Sequence, residues 1–216
     1  MRQRKVKDLN EKIRALEDYL VVEPEKWRGS WRELFGNDNP IRLEIGCGKG
    51  QFLCTHAKAN PEINYIGIEG QDSVVLRALE KAAALESRNV LCICQFVNDI
   101  GELFAPKELD KIYLNFSDPW PKGRHAKRRL TYHKRLLSYF TAMTSAGEIE
   151  IKTDNDDLFE FTMDEIRNCD FDIIEYTRDL HASSYDAREI TTEYEDKFKS
   201  IGKNINYVKI KRLTSL

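Results

Sequence analysis

Short apolar runs in this chain take turns with amphipathic stretches, and that alternation limits the possible fold more than any other feature. Residues 41–45, 64–69, 90–94, 111–116 and 148–152 are five or six residues long and read as strands buried on both faces. Between them, residues 51–59, 72–86, 132–144 and 157–168 carry apolar side chains at helical spacing. The alternation breaks down only near the end, where strands over 172–177 and 204–212 are separated by a loop and a short helix. Strands that alternate with helices pair in parallel, because each return crossing is made by a helix packed on the sheet. The pattern therefore predicts an α/β fold, Rossmann-like, with a mostly parallel seven-stranded sheet and helices on both faces.

A chain of 216 residues with 41% hydrophobic content can build one such domain with a full core. The expected division is a basic N-terminal arm and helix over 1–35, followed by the catalytic-type domain over 36–216. Within the arm, Leu9, Ile13, Leu16 and Leu20 predict an amphipathic helix over 8–20. Its basic residues (Arg2, Arg4, Lys5, Lys7, Lys12, Arg14) leave two roles open, docking on the domain or ordering on nucleic acid. Trp27, Trp31 and Phe35 read as packing residues. No apolar run reaches the roughly 18 residues that a membrane span needs. The charged N-terminus lacks the apolar core of a secretory signal, so a cytoplasmic protein without membrane contact is expected. Five cysteines without a Cys-x-x-Cys pair suggest neither a disulfide frame nor a zinc site, and all five read as structural with no metal.

The first strand runs straight into Gly46-Cys47-Gly48-Lys49-Gly50, a turn that lets a ligand approach the backbone closely. It is not a P-loop, which needs a longer spacing, nor a full dinucleotide fingerprint, because Gln51 stands where the last glycine would fall. Glu44 lies inside that strand, and Glu69 ends the next one 19 residues after Gly50, where a carboxylate can accept both hydroxyls of a ribose. Two acids beside the turn would repel a pyrophosphate. They would welcome a ligand with an ammonium group, a ribose and no phosphate, and S-adenosyl-L-methionine is such a ligand. After the third strand, Asn98 and Asp99 offer side-chain oxygens for the amino group of adenine.

The fourth strand stops at Asn115-Phe116-Ser117-Asp118-Pro119-Trp120-Pro121-Lys122. Two prolines fix φ and remove two amide donors, so pairing cannot continue and Asp118 sits on a stiff turn at the carboxyl end of a strand, where ligands of open sheets bind. A net charge of −2 hides a segregation: no Asp or Glu occurs between Asp118 and Glu148, while Lys122, Arg124, Lys127, Arg128, Arg129, Lys134 and Arg135 do. Cations clustered beside a near-neutral total predict one directed anionic partner. Trp120 has two open roles, base stacking and packing under the turn, and His125 reads as structural.

In sequence order, Leu43-Glu44-Ile45-Gly46-Cys47-Gly48-Lys49-Gly50, Gly67-Ile68-Glu69, Ser117-Asp118-Pro119-Trp120-Pro121-Lys122, Arg124-His125-Ala126-Lys127-Arg128-Arg129-Leu130, Lys152-Thr153-Asp154 and Thr192-Glu193-Tyr194-Glu195 resemble the motifs of bacterial tRNA (guanine-N7-)-methyltransferases. The likeness runs from about residue 40 to the C-terminus. It implies a class I methyltransferase fold, S-adenosyl-L-methionine as methyl donor, and a variable-loop guanine of tRNA (position 46) as acceptor. By the same carry-over Glu44, Gly46, Gly48, Glu69 and Asp118 would bind the donor, and Asp118 would also serve catalysis. Lys122, Asp154, Thr192, Glu193, Tyr194 and Glu195 would contact the substrate, and the charge of Lys122, Arg124, Lys127, Arg128 and Arg129 suits them to hold phosphates on either side of the target. Where several relatives place an Asp after the third strand, this chain has Phe96, which leaves adenine recognition to Asn98 or Asp99. The resemblance implies a monomer or homodimer and no obligate protein partner. Two other readings are an amino-group methyltransferase acting on RNA or DNA and a catalytically silent RNA-binding protein on the same fold.

Overall fold

The computed structural model describes residues 6–169 and 171–213. In chain order these form α1 (Leu9–Arg14), β1 (Leu20–Val21), α2 (Trp31–Phe35), β2 (Ile41–Ile45), α3 (Gln51–Ala59), β3 (Asn64–Glu69), α4 (Asp72–Ala84), β4 (Val90–Cys94) and β5 (Leu109–Asn115). The second half adds α5 (His133–Ala142), β6 (Met143–Thr153), α6 (Asp156–Arg167), β7 (Phe171–Thr177), α7 (Glu193–Ser200) and β8 (Asn206–Arg212).

One sheet holds every strand, in the order β1-β4-β3-β2-β5-β6-β8-β7. The first six strands pair in parallel, and β8 runs antiparallel to both β6 and β7. Among the described residues the count is eight, not the seven expected. The added strand is β1, whose Leu20 and Val21 pair with Cys92 and Ile93 on the otherwise open edge of β4. That pairing also cuts short the helix expected over 8–20, which ends at Arg14. The β-branched Val21 and Val22 and the following Pro24 favour extended backbone, and the free edge of β4 offers it partners. Ile13, Leu16, Tyr19 and Leu20 pack on Val75, Ala78, Leu79 and Cys92. Trp31 is fully buried on Phe104, with its indole N–H donating to the Leu103 carbonyl at 2.9 Å, so residues on both sides of position 35 share one core.

Central strands β2, β3 and β5 are apolar runs because helices cover both of their faces. From β2 the chain winds outward through β3 and β4, then crosses back to β5 on the other side of β2. The carboxyl ends of β2 and β5 thus flank the point where the winding reverses, and loops leaving them diverge to open a crevice. Among the described residues no helix is long and apolar enough to cross a membrane. Cys47, Cys54 and Cys92 are buried.

Candidate active site

Glu44, 1% exposed on β2, precedes the crevice-lining residues Ile45 and Gly46 but is not itself part of the lining. Asn115, at the end of the neighbouring β5, donates its Nδ2–H to Glu44 Oε1 at 2.9 Å. Glu44 Oε2 and Asn115 Oδ1 have no partner, which leaves two buried acceptors side by side in need of donors. Burial pushes the Glu44 carboxyl up to about 8, against the pull of the Asn115 bond. The glycine turn above it is left-handed at Gly46 (φ 80°), Gly48 (φ 56°) and Gly50 (φ 77°), a conformation that a side chain would strain. At Gly50 space is a second constraint, since a β-carbon would lie 2.8 Å from the β-carbon of Ala78.

A cavity of about 580 Å³ opens beside this turn, lined by Gly46, Glu69, Phe96, Asn98, Asn115 and Asp118 among others. Glu69 ends β3 half-buried, accepting from the Gln71 amide at 3.0 Å. Burial holds its carboxyl above the usual range. Of the two candidates for adenine recognition, Asn98 lines the cavity and Asp99 does not. The Asp99 carboxylate accepts from Ser138 Oγ at 2.7 Å and from the Gly101 amide at 3.0 Å, which hold it below its ordinary value. Gly48 also stays outside the lining, its part being the shape of the turn. Phe96 is 77% exposed, and its ring lies flat against Gly70, where a β-carbon would come within 2.3 Å of it.

Asp118 stands exposed at the far end, on the turn that closes β5. The residues two before and two after it, Phe116 (φ 51°) and Trp120 (φ 42°), both hold left-handed backbone without being glycine. Each such position costs about 1–3 kcal/mol and persists only where the surroundings enforce it. The Phe116 amide donates to the Lys152 carbonyl at 2.8 Å, and the Arg129 guanidinium donates to the carbonyls of Pro119 (2.9 Å) and Trp120 (3.1 Å). Trp120 is half-buried, edge-on to His125 at 5.7 Å and under the Arg128 guanidinium at 4.9 Å.

Beyond the turn, residues Gly123–Arg128 form a short 3-10 helix that presents Lys122, Arg124, Lys127 and Arg128 to solvent. Among the described residues no carboxylate forms a salt bridge with any of these four. Arg129, expected among them as a substrate contact, is half-buried and donates two hydrogen bonds to the turn.

The stretch from Thr192 to Glu195 separates into two kinds of residue. Tyr194 is 49% exposed and packs on Phe116 at 5.4 Å, and partial burial, helped by nearby Asp154 and Asp118, raises its phenol. Glu195, expected at the substrate, is fully buried and bound to Lys152 Nζ at 3.1 Å. Thr192 caps α7 by accepting from the Glu195 amide at 2.9 Å, and Glu193 pairs with Lys81.

Several residues with a part in this geometry were given no place in the site by sequence reasoning. Arg135 donates to the carbonyls of Val97 and Asn98 at 3.1 and 3.0 Å and so fixes the loop that lines the cavity. Gln51 donates to Asp196 at 2.7 Å, tying the start of α3 to α7. Asn115 was passed over because a strand-end amide carries no local signal of the acid it will face.

A family model described as "Putative methyltransferase" matches residues 38–208. A solved antibiotic-related methyltransferase superposes with a TM-score of 0.59 at 16% identity, over 84% of this chain and 92% of that one. Reversed winding at β2 and β5, a glycine turn and strand-end acids around one crevice define a Rossmann-like class I methyltransferase. Sequence comparison goes further: the tRNA (guanine-N(7)-)-methyltransferase of Lachnoclostridium phytofermentans is 47% identical over 95% of this chain and 96% of its own length. That of Bacillus cytotoxicus is 45% identical over 94% of each. The chain belongs to the bacterial tRNA (guanine-N(7)-)-methyltransferase family.

Proposed function

We propose that this chain transfers a methyl group from S-adenosyl-L-methionine to N7 of guanine 46 in the variable loop of tRNA, in the cytoplasm, forming 7-methylguanosine. One observation carries the reading: a single crevice has at one end Asn115, whose buried Oδ1 is unpaired next to Glu44, and at the other Asp118 beside a patch of cations that no carboxylate among the described residues neutralises.

The residues at the inner end suit the donor. Glu44 Oε2 and Asn115 Oδ1 would take its ammonium group, Glu69 its ribose hydroxyls, and Asn98 the edge of its adenine. When bound, the donor supplies an activated methyl group on a sulfonium. N7 of guanine bears a lone pair and no proton, so this chain needs no general base. Its task is alignment, an effect that can reach about 7–11 kcal/mol. Asp118 orients the guanine through its N1–H and N2 donors and stabilises the positive charge that develops on the ring. Lys122, Arg124, Lys127 and Arg128 hold phosphates on either side, and Tyr194, seated on Phe116 next to Asp154, offers a face for stacking. The basic residues of segment 1–35 extend the same contact; of these Arg2, Arg4 and Lys5 lie outside the described residues. Every group in the scheme comes from one chain, so a single copy completes the site.

The test is transfer of labelled methyl to unmodified tRNA followed by nucleoside analysis, with Asp118→Ala alongside. We expect 7-methylguanosine from the wild type and a loss of about 10²–10³ in kcat from the variant at unchanged tRNA affinity. Label recovered on an exocyclic amino group, or a fully active variant, would reject the scheme.

A further inference from the structure

We infer that Arg129 is a positioning residue for Asp118, locking the left-handed turn at Trp120 from inside, and that it makes no phosphate contact. The inference rests on Asp118 being the acid that meets the guanine.

This turn cannot hold itself. Pro119 and Pro121 bring no N–H, so the usual backbone bond that would close the turn is missing on both sides of Trp120. Phe116 and Trp120, at φ 51° and 42°, need an external restraint to stay left-handed. The carbonyls of Pro119 and Trp120 find their donors on one guanidinium, Arg129 Nε at 2.9 Å and Nη2 at 3.1 Å. The far face of that guanidinium rests on the ring of Phe161, 4.2 Å from its centroid. Two parallel donors in a plane, stacked on an aromatic face, are what a guanidinium offers and an ammonium does not.

The support behind it is rigid. Phe161 lies on α6, which Asn155 caps by accepting from the Leu158 amide at 2.7 Å. Two residues beyond Arg129, the buried hydroxyls of Thr131 and Thr162 hydrogen-bond at 2.8 Å and pin the chain to that helix again. Through Arg129 the loop after β5 is thus braced on the helix after β6. Its neighbours in the basic run show the contrast: Lys122, Arg124, Lys127 and Arg128 are exposed, whereas Arg129 is half-buried with two donors already engaged.

The experiment compares Arg129→Lys, Arg129→Ala and Phe161→Leu in the full chain. It measures single-turnover methyl transfer at saturating donor and tRNA, donor affinity, and tRNA affinity across a salt series. Arg129→Lys keeps the charge and loses the fork, and we expect its rate to fall about 10²-fold, the cost of misplacing a reacting group by about 1 Å. Phe161→Leu moves the rate in the same direction by a smaller factor. For both, tRNA affinity stays within about twofold and the salt slope is unchanged, because no phosphate contact is lost. A full rate in Arg129→Lys, together with a salt slope in Arg129→Ala shallower by about one contact, overturns the inference and makes Arg129 a phosphate ligand. Should Arg129→Lys fail to fold, Phe161→Leu decides, since it leaves the arginine in place; a wild-type rate there also overturns it. If Asp118→Ala keeps its rate while Arg129→Lys loses it, the reading of Asp118 falls and the brace on the turn stands.

Discussion

Glu44 shows how one side chain sets the pH behaviour of the free protein. Its carboxyl, ordinarily near 4.5, is pushed up to about 8 by burial. The folded state therefore holds a proton that the unfolded chain releases between those values, and stability falls as pH rises wherever the native state binds more protons. The contribution is full below about 4.5 and lost as pH climbs through about 8. Glu44→Gln removes this slope, so the variant should be the more stable form at pH above about 8, and the gap should close towards pH 4.5 in urea titrations. Donor binding reads the same group from the other side. An ammonium held at Oε2 requires the ionised acid, so binding at neutral pH expels a proton and tightens as pH rises towards about 8. Calorimetry in two buffers of different ionisation heat should report that proton for the wild type and none for Glu44→Gln; equal proton release in both removes Glu44 from the ammonium site. Its position was legible, a strand acid just before a glycine turn. Its protonation was not, because that comes from complete burial in the folded sheet, which outweighs the opposing bond from Asn115, 71 residues further on.

At the scale of elements, local punctuation made the first half of the sheet readable. β2, α3, β3 and β4 begin and end where the apolar runs and glycines place them, since strands buried on both faces leave little choice of boundary. Glu195 on α7 was read only as a substrate contact, because nothing local in the sequence marks it as a buried acid. What decides its place is Lys152 on β6, 1% exposed, which donates to the carbonyls of Ala187 (2.6 Å) and Ile190 (3.0 Å) and pairs with Glu195. A single buried ammonium thereby fastens the segment that carries Tyr194 to the sheet. Lys152→Met leaves Glu195 buried without a counter-charge, and such a loss costs about 3–5 kcal/mol. We expect that drop in urea unfolding, with part of it recovered when Glu195→Gln is added. We also expect loss of hydrogen-exchange protection from residues 186–200 ahead of the rest of the chain. A loss below about 1 kcal/mol would mean that the segment is held by something other than this pair.

For the whole molecule, what matters is where charge sits relative to the winding of the sheet. A net charge of −2 would predict little attraction for nucleic acid if it were spread evenly. Instead Glu44 and Glu69 gather on the β2–β3 side of the reversal, and the free cations gather on the loop leaving β5, with Asp118 between them. The two halves should therefore respond to different perturbations. Replacing Lys122, Arg124 and Lys127 together by alanine removes three exposed cations that carry none of the hydrogen bonds holding the turn. Each phosphate contact contributes about 0.7–0.9 to the slope of log affinity against log salt, so the triple variant should bind tRNA with a slope shallower by about 2–3. Donor affinity should stay as it was, because these residues lie outside the cavity lining. Filter binding across a salt series, with donor titration in parallel, separates the outcomes. An unchanged slope would move the RNA contact away from this loop and towards the basic N-terminal segment. A fall in donor affinity would show that the two ends of the crevice are coupled through the turn that Arg129 braces.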